Sequence, residues 1–89
     1  MVAIDLSSKH YLVIDDVVDM RSMLRSMLVS YGVAKIDMAG NGKEAVKLLS
    51  KHDYDVVLCD YNLGDGKDGQ QILEEARNKG YIRYSTAFL

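Results

Sequence analysis

The sequence predicts an α/β domain in which a parallel sheet carries helices on both faces. Short, continuous apolar runs are typical of strands buried on both sides, and they alternate along the chain with segments of helical periodicity. Such alternation implies parallel strands joined by right-handed helical crossovers. The predicted order is βαβαβα, followed by a partial fourth strand near the end of the 89 residues.

The first strand is the run YLVID at residues 11–15. A helix follows, because apolar residues recur at intervals of three and four until Gly32 ends it. We expect this apolar stripe to form helix core rather than a partner groove, with Arg21 and Arg25 on the outer face. The stripe consists of Met20, Met23, Leu24, Met27, Leu28 and Tyr31.

The second strand is KIDMA at residues 35–39. Asn41 stands three residues before Glu44, which is the spacing of a helix capping box. The helix that starts there is expected to direct four residues inward, namely Ala45, Val46, Leu48 and Leu49.

The third strand, DVVLCD at residues 55–60, is the clearest, and Cys59 within it is expected to pack in the core. Asp68 is predicted to cap the third helix, Gly80 to close it, and STAFL at residues 85–89 to start the fourth strand. The core face of the third helix is predicted to contain Ile72, Leu73 and Ala76.

Charge and cysteine content exclude several classes of function. The net charge of −2 gives no electrostatic case for nucleic acid or an anionic membrane. The single cysteine excludes an internal disulfide and fits a reducing compartment, so a cytoplasmic location is expected. The chain contains no secretory signal pattern and no apolar run of the ~20 residues that span a bilayer.

Carboxylates stand where two predicted strands end. Asp15 and Asp16 follow the first apolar run, and Asp60 ends the third. The carboxyl ends of parallel strands meet at one edge of a sheet, so these three acids are expected to converge. Converging like charges are costly, and Mg²⁺ relieves the cost with carboxylates, waters and phosphate oxygens as ligands. The acids therefore predict a metal site that also binds an anion.

The loop after Asp60 is rich in glycine, which permits close approach of the backbone to a ligand. A main-chain carbonyl near Asn62 could turn toward the metal. The loop also leaves Asp60 open to a phosphoryl donor, and a carboxylate is a recognised nucleophile in phosphoryl transfer. Asp65 and Asp68 are interpreted as turn and cap residues.

The motifs YLVIDD, MRSMLRSML, AGNGKEAV and DVVLCDYNLGDGKDG together resemble the receiver domains of response regulators, over residues 10–89. The resemblance implies a flavodoxin-like, CheY-like fold with strand order 2-1-3-4. It implies that Asp60 is the phosphoacceptor and that a histidine kinase or phosphotransfer protein is the donor. It also implies Mg²⁺ as cofactor, with Asp16 as a direct ligand, Asp15 acting through water and the carbonyl of Asn62 as a further ligand. The domain would then be a phosphoacceptor, not an enzyme.

The sequence departs from the family pattern in two places. The loop LGDGKDG carries Gly64 where proline is common and is one residue longer. The switch Ser/Thr and the lysine of a complete receiver are absent from this chain, and Thr86 lies too early in its strand to take the switch role. We therefore interpret residues 1–89 as one partial receiver domain, with residues 1–9 as a lead-in and an output domain or target protein expected beyond residue 89.

Three alternative functions remain to be weighed. A calcium-binding loop is rejected, because its required glycine is Asp65 and its final glutamate is Gln71. A phosphohydrolase with an aspartyl nucleophile would need a second acid where Asn62 stands. A degenerate receiver-like interaction module that is never phosphorylated stays open.

Two further expectations concern surfaces. His10 and His52 flank predicted strands and are expected to face solvent without pairing as ligands. The third and fourth strands are expected to have incomplete cover at Val56, Val57, Leu58 and Phe88. A homodimer is therefore predicted, formed by pairing at the open edge or by exchange of residues 81–89.

Overall fold

The structure is a computed structural model, and it describes residues 8–59, 69–82 and 87–88. Strands and helices alternate in the predicted order. The elements are β1 (His10–Ile14), α1 (Val18–Ser30), β2 (Lys35–Ala39), α2 (Gly42–Lys51), β3 (Val56–Cys59), α3 (Gly69–Asn78) and β4 (Ala87–Phe88).

The four strands form one parallel sheet in the order β2-β1-β3-β4, as predicted. Ile14 pairs with Ala39 on one side and with Cys59 on the other. The carboxyl ends of β1, β2 and β3 are therefore level at one edge of the sheet. This edge is where a crevice for ligands forms in open parallel sheets.

β1 ends one residue earlier than predicted and β2 ends as predicted, while the end of β3 at Cys59 borders residues outside the described part of the chain. Ile14 is the last residue of β1, and Cys59 is the last residue of β3. The main-chain N–H of Asp15 still donates to the carbonyl of Ala39 at 3.1 Å, which extends the strand pairing. The Asp15 side chain then accepts a hydrogen bond from the N–H of Val17, and this local turn directs the chain away from the sheet.

The helix ends follow the sequence signals. Asn41 Oδ1 accepts from the N–H of Glu44 at 2.8 Å, and Glu44 Oε2 accepts from the N–H of Gly40 at 2.7 Å. The first bond confirms Asn41 as the predicted cap of α2, and the second bond goes to Gly40, one residue before the position that a standard capping box uses. Gly32 and Gly80 follow α1 and α3 with φ of 87° and 74°, a conformation that glycine adopts without steric cost.

The main core lies between the sheet and the pair α2 and α3. Leu12 and Ile14 of β1 point to this face, and Val57 of β3 is fully buried there. Ala45, Val46, Leu49, Ile72 and Ala76 are the helix residues of the same cluster, and they were predicted to face inward. The prediction that Val57 lacks cover is therefore wrong. The side chain of Phe88 lies outside the described residues.

The opposite face of the sheet is covered by α1, which contacts β1. Tyr11 and Val13 alternate with the core residues of β1 and are buried on this side. Val56 and Leu58 pair with them in register and are half-buried. No residue of α1 is fully buried, although the structure describes the whole helix.

The orientation of α1 differs from the prediction. Arg21, Leu24 and Leu28 are half-buried, whereas Met20, Met23, Met27 and Tyr31 are exposed. The prediction that the whole methionine stripe forms core is therefore wrong, as is the prediction that Arg21 faces outward. The stripe contains two adjacent lines of apolar residues, and only the line beside Arg21 contacts the sheet. Among the described residues, no helix is long and apolar enough to cross a membrane.

Candidate functional site

Two of the four predicted site residues lie in the described part of the chain. Asp15 is 7% exposed and is the only charged residue that the structure describes as buried. Asp16 follows it and is exposed to solvent. Asp15 and Asp16 therefore lie at the edge of the sheet where β1, β2 and β3 end. One carboxylate is inside the protein and the other is at its surface.

Three hydrogen bonds fix the position of Asp15. Its N–H donates to Ala39, its Oδ1 accepts from the N–H of Val17 at 2.9 Å, and its carbonyl accepts from Arg21 Nη1 at 2.7 Å. The second carboxylate oxygen takes no part in the turn with Val17. A buried carboxylate held in this way has little conformational freedom to lose on binding.

Arg21 is a residue of this edge that the sequence analysis placed elsewhere. Its guanidinium reaches back from α1 to the end of β1, and a Cβ added at Gly40 would lie 3.0 Å from Arg21 Nη1. The cation is thus packed between the loops that follow β1 and β2. The position of Arg21, six residues after Asp15, could have indicated this contact. A residue on the second turn of a helix can reach the segment that leads into that helix.

Asp60 and Asn62 lie outside the described residues. Cys59, the residue before Asp60 in the chain, is the register partner of Ile14, the residue before Asp15. β1 and β3 are neighbouring strands, and the chain therefore leaves both of them at the same height along the sheet. Cys59 is half-buried and packs against the main core, as predicted.

The chemistry of the described donors fits Mg²⁺, because carboxylate oxygens are the protein ligands that this ion prefers. Asp15 and Asp16 supply two carboxylates at one turn, one of them rigidly held. Within residues 8–59, 69–82 and 87–88, no group of three or more His, Cys, Asp or Glu side chains lies close enough to hold a metal ion. The predicted third carboxylate is Asp60, which falls outside those ranges.

A second polar cluster lies toward the start of β1, away from the acidic edge. The hydroxyl of Tyr54 donates to Asp37 Oδ2 at 2.6 Å, and His10 Nε2 lies 3.0 Å from the same oxygen. The rings of His10 and Tyr54 are 4.5 Å apart, and His52 lies beside both at 6.0 and 6.1 Å. The prediction that His10 faces solvent is therefore wrong, since its ring is half-buried and bonded to Asp37, while His52 is exposed as predicted.

Tyr54 is almost fully buried in this cluster. Burial raises the pKa of its hydroxyl, and the hydrogen bond to Asp37 and the negative charge of Asp37 raise that pKa further. This contact was not predicted from the sequence, because the three residues come from three separate segments. The cluster supports the fold at the edge opposite to the acids.

The sequence was then compared with known protein families. The model of one family, described as the response regulator receiver domain, matches residues 11–87. The chain belongs to the response regulator receiver family. Its parallel sheet in the order β2-β1-β3-β4 agrees with the CheY-like fold that the motifs predicted. As a family, receiver domains of two-component systems are in general phosphoacceptors rather than classical enzymes.

Individual relatives are similar to this receiver over most of its length. Chemotaxis protein CheY-3 of Vibrio cholerae is 31% identical over 77 residues, which cover 86% of this chain and 58% of CheY-3. Sensor histidine kinase AtsR of Burkholderia thailandensis is 34% identical over 68 residues, which cover 76% of this chain and 11% of AtsR.

Among solved structures, the response regulator TrrA of Thermotoga maritima in complex with Mg²⁺-BeF superposes with a TM-score of 0.72 and 37% identity. The match covers 80% of this chain and 60% of TrrA. The chain thus spans less than two thirds of the length of each of these three proteins.

Proposed function

We propose that this receiver accepts a phosphoryl group on Asp60, with Mg²⁺ held by the carboxylates of Asp15, Asp16 and Asp60 and by the main-chain carbonyl of Asn62. The observation that carries the proposal is the buried, hydrogen-bonded Asp15 at the end of β1, level with the end of β3. Burial of a carboxylate is costly unless a partner compensates it. A cation at this edge is such a partner.

The transfer needs an exposed nucleophile and an activated phosphoryl donor. A carboxylate oxygen of Asp60 attacks phosphorus, the bond from phosphorus to the donor's imidazole nitrogen breaks, and the imidazole takes up a proton. Mg²⁺, when bound, neutralises the phosphoryl oxygens during this in-line displacement.

The chain's own residues position the site before the donor arrives. Val17 fixes one oxygen of Asp15, and Arg21 fixes its carbonyl, so the acidic turn keeps its shape. Asp16 is exposed, which leaves room for water and for the donor. The TrrA complex with Mg²⁺-BeF supports the choice of cofactor, because that relative is 37% identical to this chain.

The donor would be a histidine kinase or a phosphotransfer protein, and the readout would be an output domain or a separate target protein. AtsR, a sensor histidine kinase that contains a segment similar to this chain, is consistent with signalling of this kind. The cytoplasmic location expected from the sequence stays a prediction, as does the division of residues 1–89 into one partial domain and a lead-in.

The test is treatment of the chain with acetyl phosphate, with and without Mg²⁺, followed by intact-mass measurement. We expect Mg²⁺-dependent addition of one phosphoryl group, which Asp60→Asn abolishes because an amide is not a nucleophile. Asp65→Asn in the same loop is the matched control and should label normally. Equal labelling of the Asp60→Asn variant would overturn the assignment of the acceptor. Absence of labelling would favour the degenerate interaction module only in a longer chain that supplies the lysine and the switch Ser/Thr, which residues 1–89 lack.

A further inference from the structure

We propose that the open edge of β2 and the side of α2 next to it form a docking site for an extended, acidic segment of a partner protein. The segment would add a strand to the sheet beside β2 and place carboxylates against lysines of α2. The surface, called the β2 edge site below, consists of Ile36, Met38, Lys47, Leu48 and Lys51. The proposal does not depend on phosphoryl transfer.

The main chain of β2 is available for pairing on its outer side. β2 is an edge strand, and β1 and β3 separate it from β4 at the other end of the sheet. The carbonyl of Ala39 accepts from the N–H of Asp15, so the main-chain groups of Ala39 point toward β1. Because these groups alternate in direction along a strand, those of Ile36 and Met38 point away from β1. Two donors and two acceptors thus face outward, which is the template that an added strand uses.

A groove of about 440 Å³ lies beside this edge. It is lined by Met38 of β2 and by four residues of α2, namely Glu44, Lys47, Leu48 and Lys51. Met38 is 40% exposed and Leu48 is half-buried, whereas both lysines are exposed. The groove therefore combines an apolar floor with a basic rim, next to main-chain groups that can pair.

The two faces of β2 differ in the side chains that they offer to an added strand. Ala39 packs in the main core on the α2 face, so Ile36 and Met38 lie on the opposite face. A strand beside β2 would direct alternate side chains to these two faces. Apolar side chains would contact Ile36 and Met38, and acidic side chains would lie beside the lysines of α2. The site therefore suits a segment in which apolar and acidic residues alternate.

The lysines around the β2 edge site have no carboxylate partners of their own. Lys43, Lys47 and Lys51 are spaced by four along α2, and Lys35 starts β2. All four are exposed, and none forms an ion pair with a residue that the structure describes.

The acids nearest to these lysines are already bonded. Glu44 accepts from the N–H of Gly40, and Asp37 is bound by Tyr54 and His10. In a chain of net charge −2, this side is thus locally basic. Complementary charge on a partner would speed its encounter with the site and fix its register.

A second copy of this chain and a nucleic acid suit the surface less well. In an antiparallel pair of β2 strands, both α2 helices would lie on one face of the joined sheet, where their lysines would repel each other. A nucleic acid would contact the lysines through its phosphates, but it would leave the main-chain groups of Ile36 and Met38 unused. An acidic extended segment satisfies both features at once.

Amide hydrogen exchange of the chain, with and without a synthetic peptide of alternating valine and glutamate, tests the main-chain pairing. We expect the peptide to slow exchange at Ile36 and Met38, whose N–H groups point outward. Asp37 is the internal control, because its N–H already faces β1. Protection of Ile36 and Met38 in the free chain, or no added protection at saturating peptide, would overturn the proposal. Protection at Ala87 or Phe88 instead would place the peptide on the β4 edge and would equally overturn it.

Fluorescence anisotropy with the labelled peptide tests the role of charge. Lys47→Glu combined with Lys51→Glu should weaken binding by about tenfold or more. Arg77→Glu combined with Lys79→Glu makes the same change of charge on exposed positions of α3 and should leave binding nearly unchanged. Equal losses in the two double variants would contradict a local contact. Equally tight binding of a single-stranded oligonucleotide would assign the lysines to nucleic acid instead.

Replacing Met38 with Pro tests the main-chain contact without a change of charge. Proline removes an N–H that points away from β1, and proline is tolerated on edge strands at such positions. We expect Met38→Pro to weaken peptide binding several-fold, whereas Met38→Val, which keeps the N–H, should bind nearly as well as the wild type. Circular dichroism checks that both variants fold, and the exchange data on the wild-type chain decide the matter if Met38→Pro does not. Equal binding by the two folded variants would contradict strand addition at β2.

Discussion

Arg21 Nη1 donates a hydrogen bond of 2.7 Å to the main-chain oxygen of Asp15. This bond joins the second turn of α1 to the residue that follows β1. It is a charge-assisted bond to a residue that is almost fully buried, and such bonds are stronger than neutral ones. The helix is thereby fixed against the acidic edge at which a metal and a phosphoryl group are proposed to bind.

Replacing Arg21 with Met should loosen the acidic turn. We expect a loss of about 1 kcal/mol in the free energy of unfolding, because a partly exposed charged hydrogen bond is removed. Mg²⁺ affinity should fall several-fold if Asp15 and Asp16 lie in the binding site. Denaturant unfolding and Mg²⁺ titration measure the two effects. Arg25→Met, an exposed change on the same helix, should alter neither, and equal effects of the two variants would contradict a specific role for Arg21.

Replacing Gly40 with Ala should act on the same bond from the other side. The added Cβ would lie 3.0 Å from Arg21 Nη1 and 3.4 Å from its Cζ, so the flexible guanidinium must shift. We expect destabilisation of less than about 1 kcal/mol, mainly through a weaker bond to Asp15. A double-mutant cycle with Arg21→Met tests this. Additive effects of the two changes would show that Gly40 and Arg21 are energetically independent.

Replacing Asn41 with Ala should remove the cap of α2. The side chain of Asn41 accepts from the N–H of Glu44, and loss of such a cap costs about 0.5–2 kcal/mol of stability. Denaturant unfolding should show the loss, whereas Asn41→Ser should retain most of the wild-type stability because serine also caps helices. Equal stability of the alanine and serine variants would mean that the cap bond contributes nothing.

Replacing Tyr54 with Phe should destabilise the fold and change its response to alkaline pH. Loss of the hydroxyl leaves Asp37 without one donor and should cost about 1 kcal/mol near neutral pH. Because the folded state raises the pKa of Tyr54 above its ordinary value of 10.0, the neutral hydroxyl is favoured by folding. The contribution of this neutral hydroxyl to the free energy of unfolding is complete below pH 10 and is lost as the pH rises above that value.

As the pH rises above 10, the free energy of unfolding should therefore fall less in the Tyr54→Phe variant than in the wild type. Tyr31→Phe is the control, since Tyr31 is 76% exposed and is not part of the cluster. Parallel stability curves for wild type and Tyr54→Phe across the alkaline range would contradict the raised pKa of Tyr54.

Much of the fold follows from local features of the sequence. The apolar runs became β1, β2 and β3, the spacing of Asn41 and Glu44 became a cap, and Gly32 and Gly80 ended their helices. These features depend on residues that are close together in the chain. The strand order was predicted through the family motifs, and the placement of Asp15 at the carboxyl edge follows from parallel connection.

The tertiary structure alone decided which side of α1 contacts the sheet. The sequence offers two adjacent apolar lines, and periodicity cannot distinguish them because both belong to one wide stripe. The bond from Arg21 to Asp15 and the packing of α1 on Tyr11 and Val13 select the line of Leu24 and Leu28. The other line, formed by Met20, Met23, Met27 and Tyr31, remains exposed for that reason.

The contact of Tyr54 with Asp37 and His10 was likewise decided by the tertiary structure. Tyr54 is 17 positions from Asp37 in the chain, and His10 is 27 positions from Asp37. The local sequence around each of the three residues is that of an ordinary strand or turn. Only the pairing of β1 with β2 and β3 brings them to one oxygen atom. Local propensity and spacing thus determined the elements and their order. The rotation of α1 and the partners of buried polar groups depended on long-range packing, which no short stretch of sequence encodes.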